Sequence, residues 1–255
     1  MKIALIQSSL FWESPSANRN YFEEKINAIA EKVDLIVLPE MFSAGFTMNP
    51  SVVAETMKGD TILWMQSLAK AKKSAITGSL IIKENNNFYN RLAFVFPSGE
   101  VQFYDKRHLF TLAGEDKVYT AGKEKLIINY LGWKICPLIC YDLRFPVFSR
   151  NTENYEVLIY VANWPKSRIN AWDILLKSRA VENICYTIGV NRIGTDDNNL
   201  DYVGHSQAVD FLGNYLIEPQ EKESVFIVEL NKEKLLKTKT KLGFLNDKDT
   251  FKLKS

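Results

Sequence analysis

An α/β fold, with two sheets packed together and helices outside, is predicted by three features of the chain. Continuous apolar runs at 2–7 and 34–39 bracket a segment of helical periodicity, the pattern of a β-α-β unit with a buried parallel strand. Shorter apolar runs meet in pairs at polar turns, which is the grammar of antiparallel hairpins. No Gly/Ser-rich or Pro-rich linker divides the 255 residues, so both kinds of strand are expected in one domain spanning 1–255.

Each element follows from its own residues. The run 2–7 reads as a buried strand. Phe22, Ile26 and Ile29 recur at helical spacing and predict a helix within 16–31. Segment 34–39 is a central, parallel strand ended by proline. A second helix is expected over 60–72, with Asp60 as its cap. Strands 75–83 and 88–96 flank the turn at 84–87, and 97–100 leads into a strand at 101–105. The second half repeats this order. Strands 126–129 and 134–139 flank Leu131-Gly132, a short helix follows Cys140, and a strand at 156–162 precedes a helix over 170–183. Strands at 186–191, 203–211, 215–218 and 224–230 close the series, and the last 25 residues carry the weakest pattern.

Composition narrows the function. With 46% hydrophobic and 24% charged residues the chain can bury a core, which excludes a disordered or fibrous protein. Thirty-two basic against thirty acidic side chains leave +2, so no charge excess points to nucleic acid or an anionic membrane. The basic runs at 70–73 and 237–241 read as solvated helix faces. Apolar stretches are too short for a membrane span or a signal segment. Three cysteines, odd in number and without C-x-x-C spacing, read as free thiols in a reducing compartment, with the cytoplasm as the expected location.

Cofactors lose support in the same way. Only His108 and His205 exist, so no metal site is expected. No two glycines are spaced G-x-G, and Thr195 stands where a P-loop spaced from Gly189 and Gly194 needs lysine. The Gly204-His-Ser-Gln-Ala208 segment comes within one residue of a serine-hydrolase elbow. No histidine follows Ser206 to complete that fold's chain order, and an antiparallel strand is the plainer reading.

Three polar residues stand just after strand-like runs: Glu40, Lys106 and Cys140. Loops at the carboxyl ends of strands are where α/β folds gather reacting groups. The residue types suit attack on a carbonyl. A cysteine is nucleophilic as thiolate and needs a base and a positive neighbour. With histidine scarce, Glu40 is the available base. Lys106, with the N–H of Tyr141, could hold the oxyanion of a tetrahedral intermediate. Singly, each residue has a structural explanation: a buried thiol, a loop acid, a solvated lysine. Cys136 and Cys185 lie inside apolar runs and are read as structural.

Together these residues carry a resemblance. Leu38-Pro-Glu-Met-Phe42, Tyr104-Asp-Lys-Arg-His-Leu109 and Ile139-Cys-Tyr-Asp-Leu-Arg-Phe-Pro146 resemble, in order, the three active-site blocks of the nitrilase superfamily of carbon–nitrogen hydrolases. The likeness extends through Val161-Ala-Asn-Trp-Pro165, Ser178-Arg-Ala-Val-Glu-Asn183 and Gly189-Val-Asn-Arg-Ile-Gly194. It implies an α-β-β-α sandwich that works as a homodimer, with Glu40 as general base, Lys106 as oxyanion stabiliser and Cys140 as nucleophile. It also places a second glutamate, Glu115, to position Lys106 or the attacking water, with Asp116 as competitor.

Within the superfamily the chain looks most like the bacterial omega-amidases, through Met-Phe-Ser-Ala-Gly-Phe46, Ala-Asn-Trp-Pro165 and Gly-Val-Asn-Arg-Ile-Gly-Thr-Asp196. That branch implies hydrolysis of the terminal amide of small 2-oxo acids such as 2-oxoglutaramate or 2-oxosuccinamate, without a cofactor. Arg144 is similar to the arginine that follows the nucleophile there, and a guanidinium can grip a carboxylate bidentately; an ion pair with Asp142 is the competing reading. Phe42, Phe46 and Trp164 could line the pocket's apolar middle. Val147 departs from the glutamate many superfamily members have at this place. Another small amide or ureido compound, a nitrile, an inactive binding protein on this scaffold and a serine hydrolase through Ser206 are the alternatives.

Overall fold

Apolar residues alternate between two environments along the first strands, and this alternation builds the sandwich. The computed structural model describes residues 1–253; the last two residues of the expected 1–255 domain, Lys254 and Ser255, lie outside the described residues. The strands are β1 (Lys2–Gln7), β2 (Leu35–Val37), β3 (Ala75–Glu84), β4 (Asn87–Val95), β5 (Val101–Asp105), β6 (Ile128–Tyr130), β7 (Trp133–Ile139), β8 (Val157–Ala162), β9 (Tyr186–Asn191), β10 (Ile193–Thr195), β11 (Asp201–Val203), β12 (Gln207–Val209), β13 (Tyr215–Ile217) and β14 (Ser224–Glu229). The helices are α1 (Pro15–Asn27), α2 (Pro50–Val53), α3 (Asp60–Lys72), α4 (Glu115–Val118), α5 (Pro146–Ser149), α6 (Ile169–Asn183) and α7 (Lys232–Leu242).

One six-stranded sheet runs β14-β1-β2-β3-β4-β5 and the other β13-β12-β9-β8-β7-β6. Followed from β14 and from β6, both show the same pairings: antiparallel, parallel, parallel, antiparallel, antiparallel. The repeated grammar of the two halves is thus a repeated sheet. Ile3, Leu5, Leu35 and Val37 face the second sheet's Ile135, Ile139, Ile159 and Val161 in one core. Ala4, Ile6 and Ile36 point the other way, onto Phe22 and Ile26 of α1 and Met65 and Leu68 of α3. Among the described residues no helix is long and apolar enough to cross a membrane.

Several boundaries differ from the expectation for physical reasons. Helix α1 ends at Asn27, closed by the Ala28 N–H on the Glu24 carbonyl, so Ile29 packs from the loop. Asp60 is the first helical residue of α3 rather than its cap. Gly59 holds the cap position, and the Glu55 carboxylate accepts the Thr61 N–H at 2.7 Å, capping the helix from outside. The expected strand 203–211 is interrupted at Gly204 and His205, both with positive φ, and a Cβ on Gly204 would lie 2.2 Å from the Gln7 side chain. Its first part instead pairs as the β10–β11 hairpin. The turn between β3 and β4 matches its residues: Asn85 and Asn86 both take left-handed φ.

Candidate active site

Glu40, Lys106 and Cys140 meet where strands β2, β5 and β7 end. The chain leaves β2 through Leu38-Pro39 and reverses at Met41, whose φ is +43°. The Met41 N–H donates to the Ser79 hydroxyl at 2.8 Å, and this tie fixes the preceding Glu40. Lys106 follows β5, and its N–H still bonds the Asn90 carbonyl of β4. Cys140 comes directly after β7 with φ +42°, left-handed backbone that costs a residue with a Cβ about 1–3 kcal/mol. Asp142 holds that turn. Its carboxylate accepts the Ile139 N–H (3.0 Å), the His108 N–H (3.1 Å), the Tyr104 hydroxyl (2.7 Å) and bonds His108 Nδ1 (2.7 Å).

Charges converge beside the thiol. Lys106 Nζ donates to Glu40 Oε1 at 2.8 Å and to both Glu115 oxygens at 3.0 and 2.9 Å, and all three side chains are sealed from solvent. Asp116, the competitor to Glu115, is exposed. Asn90 Nδ2 bridges the two carboxylates at 2.8 and 3.2 Å, and the Phe110 N–H binds Glu115 Oε2 at 2.6 Å. Asn163, the residue after β8, closes the set. Its N–H binds Glu40 Oε2 at 2.8 Å, its amide donates to the Glu40 carbonyl at 2.7 Å, and its own carbonyl lies 4.0 Å from Cys140 Sγ.

The electrostatics follow from this packing. Burial and then the Glu40 charge, which also hydrogen-bonds the sulfur, push the Cys140 thiol well up, while Lys106 pulls it down. Burial works against the Lys106 charge, but Glu115 and Glu40 outweigh it and hold the ammonium. Burial raises Glu115, with Lys106 opposing and Glu40 adding to the rise. Two buried carboxylates against one cation favour a resting state in which the thiol keeps its proton beside an acceptor. A carboxylate base, a hydrogen-bonded thiol and a fixed ammonium can together perform nucleophilic attack on a carbonyl.

Cys140 forms part of the wall of a cavity of about 220 Å³. Tyr141, Arg144, Phe46 and Trp164, all expected at the site, line it too. Lys106 Nζ stands 5.3 Å from the Phe46 ring, and the Arg144 guanidinium lies 4.8 Å from Trp164. Arg144 does not pair with Asp142, whose oxygens are taken up as described. Phe42 is not in the pocket. The reversal at Met41 sends it into the core under the helices, edge-on to Phe22 and beside Trp64. Ser206 is fully buried, its hydroxyl bonded to the Asn191 backbone, which leaves no role in attack. Among the described residues no cluster of three or more His, Cys, Asp or Glu is placed to hold a metal.

Asn90 and the role of Asn163 escape a reading of the sequence. Asn163 stands directly after an apolar run, as Cys140 does, and that signal could have found it. Asn90 is a polar residue inside a strand, a pattern equally compatible with an ordinary edge position.

Comparison with known proteins agrees with this geometry. A family model described as carbon-nitrogen hydrolase matches residues 2–240. Omega-amidase YafV of Escherichia coli (strain K12) is 39% identical over 254 residues, covering 99% of this chain and 98% of that protein. The 2-oxoglutaramate amidase of Bacillus subtilis (strain 168) is 29% identical over 250 residues, 96% of each chain. A CN-hydrolase superfamily protein of Xanthomonas campestris, solved with an arsenic adduct in its active site, matches with a TM-score of 0.97 and 39% identity. That match covers 100% of this chain and 99% of the other.

Proposed function

The chain belongs to the carbon-nitrogen hydrolase family and is a hydrolase of amide bonds, and from that premise we propose that it cleaves the terminal amide of small 2-oxo dicarboxylic acid monoamides such as 2-oxoglutaramate or 2-oxosuccinamate. The observation that carries this reading is the buried Glu40–Lys106–Glu115 set beside Cys140, in a cavity whose wall includes the guanidinium of Arg144. The names of the E. coli and B. subtilis relatives support the substrate class.

The chemistry runs in two displacements. Glu40 takes the Cys140 proton as sulfur bonds the amide carbon and the carbonyl electrons move to oxygen. The Lys106 ammonium and the Tyr141 N–H hold that oxyanion. Its collapse breaks the C–N bond, and ammonia leaves with the proton from Glu40. Glu40 next deprotonates a water that attacks the thioester carbon, and the C–S bond breaks as the thiol regains its proton. Glu115 and Asn90 keep Lys106 and Glu40 in place throughout. Arg144 binds the substrate carboxylate, with Phe46 and Trp164 against the carbon chain. The single domain works as a cytoplasmic homodimer, a pairing supported by the exposed apolar Val147, Ile174 and Val181.

Ammonia release across a panel tests the substrate class. Expected is a kcat/KM for 2-oxoglutaramate or 2-oxosuccinamate at least about tenfold above that for neutral aliphatic amides and carbamoyl amines, the scale of one charge-assisted contact. Equal or greater turnover of the neutral compounds would overturn it.

A further inference from the structure

The cavity wall carries three charged side chains: Arg144, Arg168 and Asp196. The acid is fully engaged. Asp196 Oδ1 accepts the N–H groups of Asn198 (2.9 Å) and Leu200 (3.0 Å), and Oδ2 accepts the Tyr202 hydroxyl at 2.8 Å. It organises its own loop and forms an ion pair with neither arginine. Among the described residues no carboxylate pairs with Arg144 or Arg168, whereas Arg19 and Arg91 each hold two and Arg179 holds one. Two guanidiniums therefore face one small cavity without a counter-charge.

Both are held by rings of the same wall. Arg144 lies 4.8 Å over Trp164 and Arg168 lies 5.2 Å over Phe110. Trp164 joins the two, because its indole N–H donates to the Arg168 carbonyl at 2.8 Å while its ring carries Arg144. Trp164 is itself fixed through its backbone N–H on Asn191 Oδ1 at 2.7 Å. A guanidinium stacked on a ring keeps its N–H edge free, and that edge matches a carboxylate in its plane. Arg144 is exposed and competes with water for any anion; Arg168 is half-buried and loses less to solvent.

Building on the anionic-amide reading above, we propose that Arg168 is a specificity-determining residue. With Arg144 it forms a two-guanidinium receptor for the carboxylate, and the adjacent 2-oxo oxygen, at the end of the substrate remote from Cys140.

The test compares 2-oxoglutaramate with a neutral amide of similar length in the wild type, Arg168→Gln and Arg168→Lys. Expected in Arg168→Gln is a fall of about thirtyfold in the anionic-to-neutral ratio of kcat/KM, carried by KM for the anion, as loss of a charge-assisted contact requires. Arg168→Lys restores part of it, because a lysine supplies the charge without the fork. An unchanged ratio in Arg168→Gln overturns the proposal, and so does an equal loss on both substrates, the mark of a merely structural arginine. Glutarate, which has no scissile amide, separates this inference from the substrate reading. Should the wild type prefer neutral amides, the substrate reading fails, while competitive inhibition by glutarate that weakens about thirtyfold in Arg168→Gln sustains the receptor. Glutarate inhibition that is absent, or equal in both proteins, overturns the receptor.

Discussion

Cys136 and Cys140 stand four positions apart, one inside β7 and one just past its end, and the same side chain meets two different fates. Cys136 is fully buried on the face of its sheet that α6 covers, beside its β8 partner Leu158, and burial pushes its thiol far up. Cys140 is pushed up too, by burial and by Glu40, but the charge that raises it is also the base that can take its proton. The third thiol, Cys185, is pushed up to about 12, chiefly by burial, with Glu182 adding and Thr187 and Lys239 opposing. On the mechanism proposed above, reactivity at this site is made by the neighbours a strand end can gather, not by the thiol.

Substituting the two cysteines breaks the comparison most severely. Cys140→Ala is expected to lower turnover by at least about a thousandfold, since the covalent route is lost. Cys136→Ala should leave turnover near the wild-type value and cost about 1 kcal/mol of stability through lost packing. Parallel kinetics and denaturant melts decide it, and comparable activity loss in both variants would refute the distinction.

Next in size is the cation. Lys106→Met leaves Glu40 and Glu115 buried side by side without a counter-charge, and should destabilise the protein by about 3–5 kcal/mol as well as silence it. A melt unchanged within experimental error would mean that the two carboxylates are not ionised together. A smaller loss is expected at the turn itself. Asp142→Asn weakens the acceptor for four groups that hold Cys140 at φ +42°, at a cost of about 1.5–3 kcal/mol, with kcat reduced while the thiol remains titratable. Full activity with lowered stability would confine Asp142 to the scaffold.

The smallest effect is a shift in pH dependence. Burial and Glu40 raise the Cys140 thiol and Lys106 lowers it, so removing the Glu40 charge takes away one raising influence while the lowering one stays. Alkylation of Cys140 by iodoacetamide in Glu40→Gln should therefore reach a given rate at lower pH than in the wild type, although catalysis is lost. A profile displaced to higher pH would contradict the sign.

How far the sequence reveals all this depends on where the determining contacts lie. Strand β1, helix α3 and the β3–β4 hairpin were legible because their signals are local: an apolar run, a helical stripe, two asparagines able to take left-handed φ. The β10–β11 hairpin was not, since its loop is held by Asp196 and its end by Gly204 packed on Gln7 from the far end of the chain. Helix α7 buries only Leu235, so its periodicity is faint, although Asn231 caps it by accepting the Lys234 N–H. At the site, Glu40, Lys106 and Cys140 could be read as polar residues following apolar runs. Phe42 could not be placed, because the reversal at Met41 leaves no mark in a pattern of apolar residues. Asn90 could not be found either, for its value lies in two carboxylates that only the fold brings to it.

Whether Cys140 forms the covalent bond is settled most directly by peptide mass after rapid acid quench during turnover of a slow amide substrate. Expected is the mass of one acyl group on the peptide containing Cys140, absent from those containing Cys136 and Cys185 and absent in Cys140→Ala. An adduct on another residue, or steady turnover with Cys140 unmodified at every time point, would contradict it.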